Sequence, residues 1–258
     1  STTTTPPTTT PAPIDINLDF SKPADQKQMM LNGSAAWTNN RLELCNALSQ
    51  AGSGFLMIPV PATADYLATF QFEVMSDNGA APADGHAFVV QSVGPDQVGG
   101  AGGSLGYDGG PFGTNSYAVE FNTYSGQGLG NGMDTTVALD LFGKRTKFSQ
   151  TAWPEGNATT PGTFVDNGVY TAQVRVKPNN ITVTVSGGKN KLKPTVAMST
   201  DSFLSLFANP PPPIFQTLAT KPIFFGFTGG TGGADTIQDI LNLHIQSPAP
   251  APAATAGQ

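Results

Sequence analysis

A chain of 258 residues has room for one large β-sandwich or two ordinary domains. Its 30 glycines and 22 prolines, with charged residues at only 12%, disfavour long helices and favour short strands joined by many turns. The net charge of -6 comes without any Lys/Arg cluster, which excludes a basic surface for neutralising phosphates and makes nucleic acid an unexpected partner.

Residues 1–13, STTTTPPTTTPAP, hold too few large apolar side chains to offset the ordering of their backbone and read as a Thr/Pro-rich linker. Such segments are extended and often O-glycosylated in exported proteins, so the body is expected to sit between other modules or on a stalk. Cys45, in Leu42-Glu43-Leu44-Cys45, is alone in the chain and reads as a small buried hydrophobe. Alternation then marks strands: Phe70, Phe72 and Val74 share one face while Thr69, Gln71 and Glu73 share the other. Val174 and Val176, then Ile181, Val183 and Val185, flank Pro178-Asn179-Asn180, which supplies hairpin turn residues. Ser202 to Ala208 invites one helical turn, closed by Asn209 and four prolines, and Ile214 to Thr220 reads as an exposed excursion. Ile223 to Phe227 and Thr236 to Ile245 return as strands, and 248–258 is a second, Pro/Ala-rich linker. His86 and His244 have no metal-ligand spacing and read as structural histidines. N-x-[ST] sequons stand at Asn32, Asn157 and Asn180. No apolar run approaches the roughly 20 residues that cross a bilayer as a helix, so membrane insertion is not expected.

Ordered stretches of the body carry a resemblance. Leu18-Asp19-Phe20, Leu31-Asn32-Gly33-Ser34-Ala35 and Gln50-Ala51-Gly52-Ser53 come first. Ala83-Asp84-Gly85-His86-Ala87-Phe88 follows, then Gly102-Gly103-Ser104-Leu105-Gly106-Tyr107, then Ala118-Val119-Glu120-Phe121-Asn122-Thr123-Tyr124, and last Gly226-Phe227-Thr228 through Asp239-Ile240-Leu241. In this order they resemble the L-type, or legume-lectin-like, lectins over residues 14–247. The resemblance implies an all-β fold, an antiparallel β-sandwich of the concanavalin A-like jelly-roll kind. It also implies a carbohydrate-binding function, with glycans as partners, and a secreted or cell-surface location.

The implied sugar site is a shallow dish made by loops. Asp84 would accept hydrogen bonds from two adjacent sugar hydroxyls, because a carboxylate presents two acceptor oxygens in one plane. Gly103 would donate its backbone N–H, the missing side chain permitting close approach. The loop Thr228 to Asp235, with Gly232 and Gly233, would border the dish, and Tyr107, Phe112 and Tyr124 are the candidates for an aromatic platform under the sugar ring.

Members of the resembling family hold two metals, one of them calcium, on an E-x-D strand and the loop after it. Here Glu120, Asn122 and Tyr124 lie on one face of their strand. The first aspartate, however, is Asn122, the sugar-touching asparagine is Gly126, the second aspartate is Asn131 and the histidine is Thr136. Loss of the transition-metal site is expected, since such a metal wants imidazole. Calcium would be retained if Asp134 stood in beside Glu120, Asn122 and the Tyr124 carbonyl. Asn122, Gln127 or Asn131 would then take over the lost sugar contact.

Two functions compete. One is an extracellular glycan-binding module; the other is a structural or adhesive sandwich that has lost sugar binding and assembles through its tails as a homo-oligomer or surface array. Catalysis is not expected. The glutamates are Glu43, Glu73, Glu120 and Glu155, the hydrolase E-x-D-x-x-E strand motif is missing, and no G-x-S-x-G, H-E-x-x-H or phosphate loop occurs.

Overall fold

The computed structural model describes residues 13–61, 63, 65–76, 82–124, 136–152, 164–177, 180–200 and 221–248. The expected linkers (Pro13 and Pro248 apart), the turn at 178–179, the stretch 202–220, Asn157, Gly126, Gln127, Asn131 and Asp134 lie outside the described residues. In chain order the strands are β1 (Ile14–Asp19), β2 (Met29–Gly33), β3 (Ala36–Thr38), β4 (Arg41–Cys45), β5 (Ala51–Leu56), β6 (Tyr66–Met75), β7 (Gly85–Gln91) and β8 (Ser116–Asn122). They continue as β9 (Thr136–Leu141), β10 (Lys144–Ala152), β11 (Val169–Lys177), β12 (Asn180–Gly187), β13 (Leu192–Ser199), β14 (Phe224–Gly230) and β15 (Ile237–Ser247). Among the described residues no helix is long and apolar enough to cross a membrane.

Two antiparallel sheets form. One has eight strands in the order β13-β12-β11-β6-β15-β4-β3, with β1 paired to the C-terminal half of β15; the other has seven, ordered β10-β9-β8-β7-β14-β5-β2. The expected hairpin is present as β11 and β12, paired from Tyr170 with Gly187 to Lys177 with Asn180.

Alternation decides which side chains fill the space between the sheets. Phe70, Phe72, Val119, Phe121, Phe225 and Phe227, the residues whose spacing marks them as inward-facing, are all 0% exposed. The phenylalanine rings interlock: Phe70 lies 4.9 Å from Phe227 and 5.5 Å from Phe88, and Phe72 lies 5.1 Å from Phe121. Full burial of each such ring contributes about 1.5–3 kcal/mol. His86 enters the same layer, stacked 5.1 Å from Phe121, and burial lowers its pKa to about 3. Cys45 is buried and its thiol is pushed up to about 11, as befits an inert hydrophobe.

A second apolar layer lies on the outer face of the seven-stranded sheet. There Phe55, Ala87, Val89 and Ala118 point away from the main core and are covered by Tyr107 and Phe112 from the glycine-rich loop between β7 and β8. This loop is therefore packed down as a lid on the sheet. Gly106 permits it, with φ +68° and a position where a Cβ would stand 2.7 Å from the Gly229 carbonyl oxygen.

The outer face of the eight-stranded sheet carries a row of carboxylates. Glu43, Asp239 and Glu73 stand opposite one another across β4, β15 and β6, each no more than 8% exposed, and Arg41 pairs with Glu73 and, at 3.3 Å, with Asp239. Burial raises the Asp239 pKa to about 6; Arg41 opposes that rise and the neighbouring Glu43 and Glu73 add to it. The Asn32 sequon has its amide nitrogen engaged at 3.0 Å with both the Ser53 hydroxyl and the Pro95 carbonyl.

Candidate functional site

Asp84 sits where β7 begins. Its N–H donates to the Gly230 carbonyl at 3.1 Å and its carbonyl accepts from Thr123 N–H at 3.0 Å, so the end of β14 and the end of β8 fix it from either side. The Ala83–Asp84 peptide is cis. Gly85 follows because the backbone turns at φ +133° against β8, where a Cβ would stand 2.3 Å from the Phe121 carbonyl oxygen. Thr236 braces the approach by donating to the Ala83 carbonyl at 3.1 Å.

Three loops distant in sequence meet at the Asp84 carboxylate. A Cβ built on Gly232 would stand 3.0 Å from Asp84 Oδ2, and one built on Gly102 would stand 3.8 Å from it and 3.7 Å from the Gly232 Cα. The Gly102 N–H donates to the Thr231 carbonyl at 2.8 Å, which ties the two glycine loops directly together. Gly103 is the second residue of a single 3-10 turn, Gly102–Ser104, and the first N–H groups of such a turn have no partner within it. Gly233 is exposed, with no atom within 4 Å of where its Cβ would be, and forms the open rim. Of the expected residues, Gly232 lies directly against the Asp84 carboxylate, while Gly103 and Gly233 follow in sequence the glycines that meet there.

Support comes from the loop of Ala47, Ser49 and Gln50, of which the sequence singled out only Gln50. Gln50 N–H donates to Thr231 Oγ1 at 3.0 Å, Thr231 Oγ1 donates to the Ala47 carbonyl, and Ser49 N–H donates to the Gly232 carbonyl at 3.0 Å. The rim loop is stitched to the loop before β5.

Of the three aromatic candidates, the structure rejects two. Tyr107 and Phe112 are 1% and 0% exposed and stack on each other 5.4 Å apart in the second apolar layer, facing the sheet and not the dish. The Tyr107 hydroxyl accepts from Gly143 N–H at 2.9 Å and shares a hydrogen bond with Ser116 at 3.0 Å, and burial keeps it protonated by raising its pKa. Burying two aromatic rings against the sheet is worth more than presenting them to a solvent-exposed dish. Tyr124 remains. It is 36% exposed, just past β8 and one residue from Thr123, which contacts Asp84.

Asn122 is fully buried. Its amide nitrogen donates to the Tyr124 carbonyl and its Oδ1 accepts from Tyr124 N–H, both at 3.2 Å, so the side chain braces the Tyr124 peptide. Glu120, also 0% exposed, faces the same side of β8 as Ala118. Both of its oxygens are engaged by Arg145 from the start of β10: Nε donates to Oε2 at 2.8 Å and Nη2 to Oε1. Arg145 Nη1 also donates to the Gly103 carbonyl. Its backbone N–H donates to Asp108 Oδ2 at 3.1 Å, and Lys144 reaches the other oxygen at 3.2 Å. Burial works to raise the Asp108 pKa, yet these two donors hold it below the ordinary carboxylate range.

These contacts test whether a divalent ion fits. The Glu120 carboxylate is taken by a guanidinium, while Asn122 and the Tyr124 carbonyl satisfy each other. Among the described residues no group of three or more His, Cys, Asp or Glu side chains is placed to hold a metal. The described donors of the expected set do not fit the ion.

Solved structures share this architecture. The lectin from Bauhinia forficata in complex with GalNAc superposes with a TM-score of 0.68 at 18% identity, over 91% of this chain and 98% of that one. The basic winged bean lectin with Tn-antigen gives 0.69 at 17% identity, over 91% and 98%. Arcelin-5, a lectin-like defense protein from Phaseolus vulgaris, gives 0.66 at 15% identity, over 91% and 97%. The fold is the L-type lectin sandwich. No protein-family model matches the chain.

Proposed function

We propose that the chain is a glycan-binding module of a secreted or cell-surface protein, without catalytic activity. The observation that carries this reading is the meeting of Asp84, the Gly102–Gly103 turn and Gly232 from three separate loops around one carboxylate. A carboxylate on the floor of a dish whose walls are bare backbone suits two vicinal hydroxyls, the feature common to sugars. Gly103 supplies the N–H donor, Tyr124 the apolar surface for a ring face, and Gly232 with Gly233 the rim. Asn122 serves by holding Tyr124 in place. N-acetylgalactosamine heads the probes, since two of the similar folds carry GalNAc or Tn-antigen.

The test is a glycan panel that includes GalNAc-, galactose- and mannose-terminated structures, read with the wild-type chain and with Asp84→Asn. Asparagine keeps the size but removes the charge and one acceptor, weakening a bond worth about 1.5–3 kcal/mol, so affinity falls roughly tenfold or more. A wild-type chain blank across the panel would favour the structural or adhesive reading.

A further inference from the structure

We infer that Arg145 is a positioning residue for the candidate glycan site: its guanidinium is a built-in cation that joins Glu120 to the Gly103 carbonyl and organises the binding loops without a metal ion. The functional meaning rests on the glycan-binding reading above; the geometry does not.

Arg145 spans three pieces of the molecule. Its side chain holds Glu120 on β8 through Nε and Nη2 and the Gly102–Ser104 turn through Nη1, while its own N–H is fixed by Asp108 at 3.1 Å. The planar fork of a guanidinium suits this task, because it donates to both carboxylate oxygens in parallel and still has N–H groups for a carbonyl. Strand β9 lies between β8 and β10, and the residue opposite Glu120 on it is Ala138, a small side chain that leaves the crossing open. The pair is desolvated, with Glu120 0% and the Arg145 side chain 10% exposed. A buried carboxylate needs a positive partner, and a guanidinium remains charged throughout the working pH range. The cation that the resembling family recruits from solution is here supplied by the chain.

The wild-type protein supplies the first test. Calcium and manganese titrated calorimetrically should give no saturable heat, and Tm in EDTA should match Tm in either ion. A resident ion at a hundredfold its Kd would raise Tm by about 5–10 °C, and saturable binding with such a rise overturns the inference. The second test is Arg145→Lys, which keeps the charge but lacks the planar fork whose three separate nitrogens reach both Glu120 oxygens and the Gly103 carbonyl. In a variant shown by circular dichroism to be folded, amide exchange at Gly102–Ser104 should quicken, and affinity for any glycan bound by the wild type should fall roughly tenfold. Unchanged exchange in that turn overturns the positioning role. A blank glycan panel with metal-indifferent Tm and quickened exchange would remove the glycan reading and leave Arg145 as the internal cation; glycan binding that requires calcium would do the reverse.

Discussion

Gly232→Ala is the sharpest probe of where a ligand sits. The added methyl would stand 3.0 Å from Asp84 Oδ2 and 3.4 Å from the Gly102 Cα, in the space between the carboxylate and the glycine turn. Gly232 does not use a left-handed φ, so alanine meets no backbone penalty there, and the stiffer unfolded chain stabilises by about 0.4–1 kcal/mol. One tight contact with the end of a carboxylate offsets that gain, and Tm is expected to move by no more than about 2–4 °C. Binding should respond far more. A methyl in that space displaces a hydroxyl from Asp84 and removes a charge-assisted hydrogen bond of about 1.5–3 kcal/mol, which corresponds to roughly 10- to 150-fold in Kd. The matched control is Gly233→Ala, whose methyl meets no atom within 4 Å. Titration calorimetry with a panel-identified glycan, beside thermal unfolding, reads both quantities. Equal affinity of Gly232→Ala and wild type, or an equal loss in Gly233→Ala, would refute the placement of the ligand.

Tyr107→Phe should leave Gly143 N–H buried without its acceptor and lower stability by about 1–3 kcal/mol with glycan contacts intact, whereas Tyr124→Ala should weaken binding and barely move Tm; the opposite pattern in denaturation and affinity measurements would restore Tyr107 as a platform. His86 has a folded pKa of about 3 against 6.5 in the unfolded chain, so the stability tied to its neutral form is present above pH 6.5 and is lost as pH falls towards 3. Urea unfolding at pH 7 and pH 4 should show wild type losing roughly 3 kcal/mol more than His86→Leu across that interval; parallel losses would count against it. Asp239 has the opposite sign: its pKa is raised to about 6, so its contribution is fully present below about pH 4 and is lost as pH rises through 6. Asp239→Asn should therefore stabilise by roughly 1–3 kcal/mol at pH 7.5 and little at pH 4, and a pH-independent difference would show that the carboxylate row is not strained.

The main core was legible because it depends on period two. Phe70, Phe72, Val119 and Phe121 alternate with polar or small residues, so the large apolar side chains of each strand share one face, the one between the sheets. The motifs from which the candidate site is built, Asp84-Gly85, Gly102-Gly103 and Gly232-Gly233, were legible because each is short and local, and Gly85 is held by close backbone approach to β8. What stayed hidden depends on which loop folds over which face. Nothing in Lys144-Arg145-Thr146 marks Arg145 as the partner of Glu120, 25 positions earlier and two strands away. The same is true of Tyr107 and Phe112, whose burial follows from the loop closing on Phe55 and Val89. A signal existed in weak form: basic residues heading a strand and a glutamate with no acidic partner two residues on are a pairing that charge balance could have raised.

The second apolar layer bears on how such a site can diversify. Tyr107 and Phe112 fasten the glycine-rich loop to the sheet as the chain folds, so a ligand meets a loop already ordered and need not supply the entropy of arranging it. The open rim at Gly233 takes no part in that fastening. On the glycan-binding reading proposed above, side chains introduced there would reach over the dish without disturbing the packed loop beneath it, so rim substitution would alter selectivity among sugars while the Asp84 contact stays as it is.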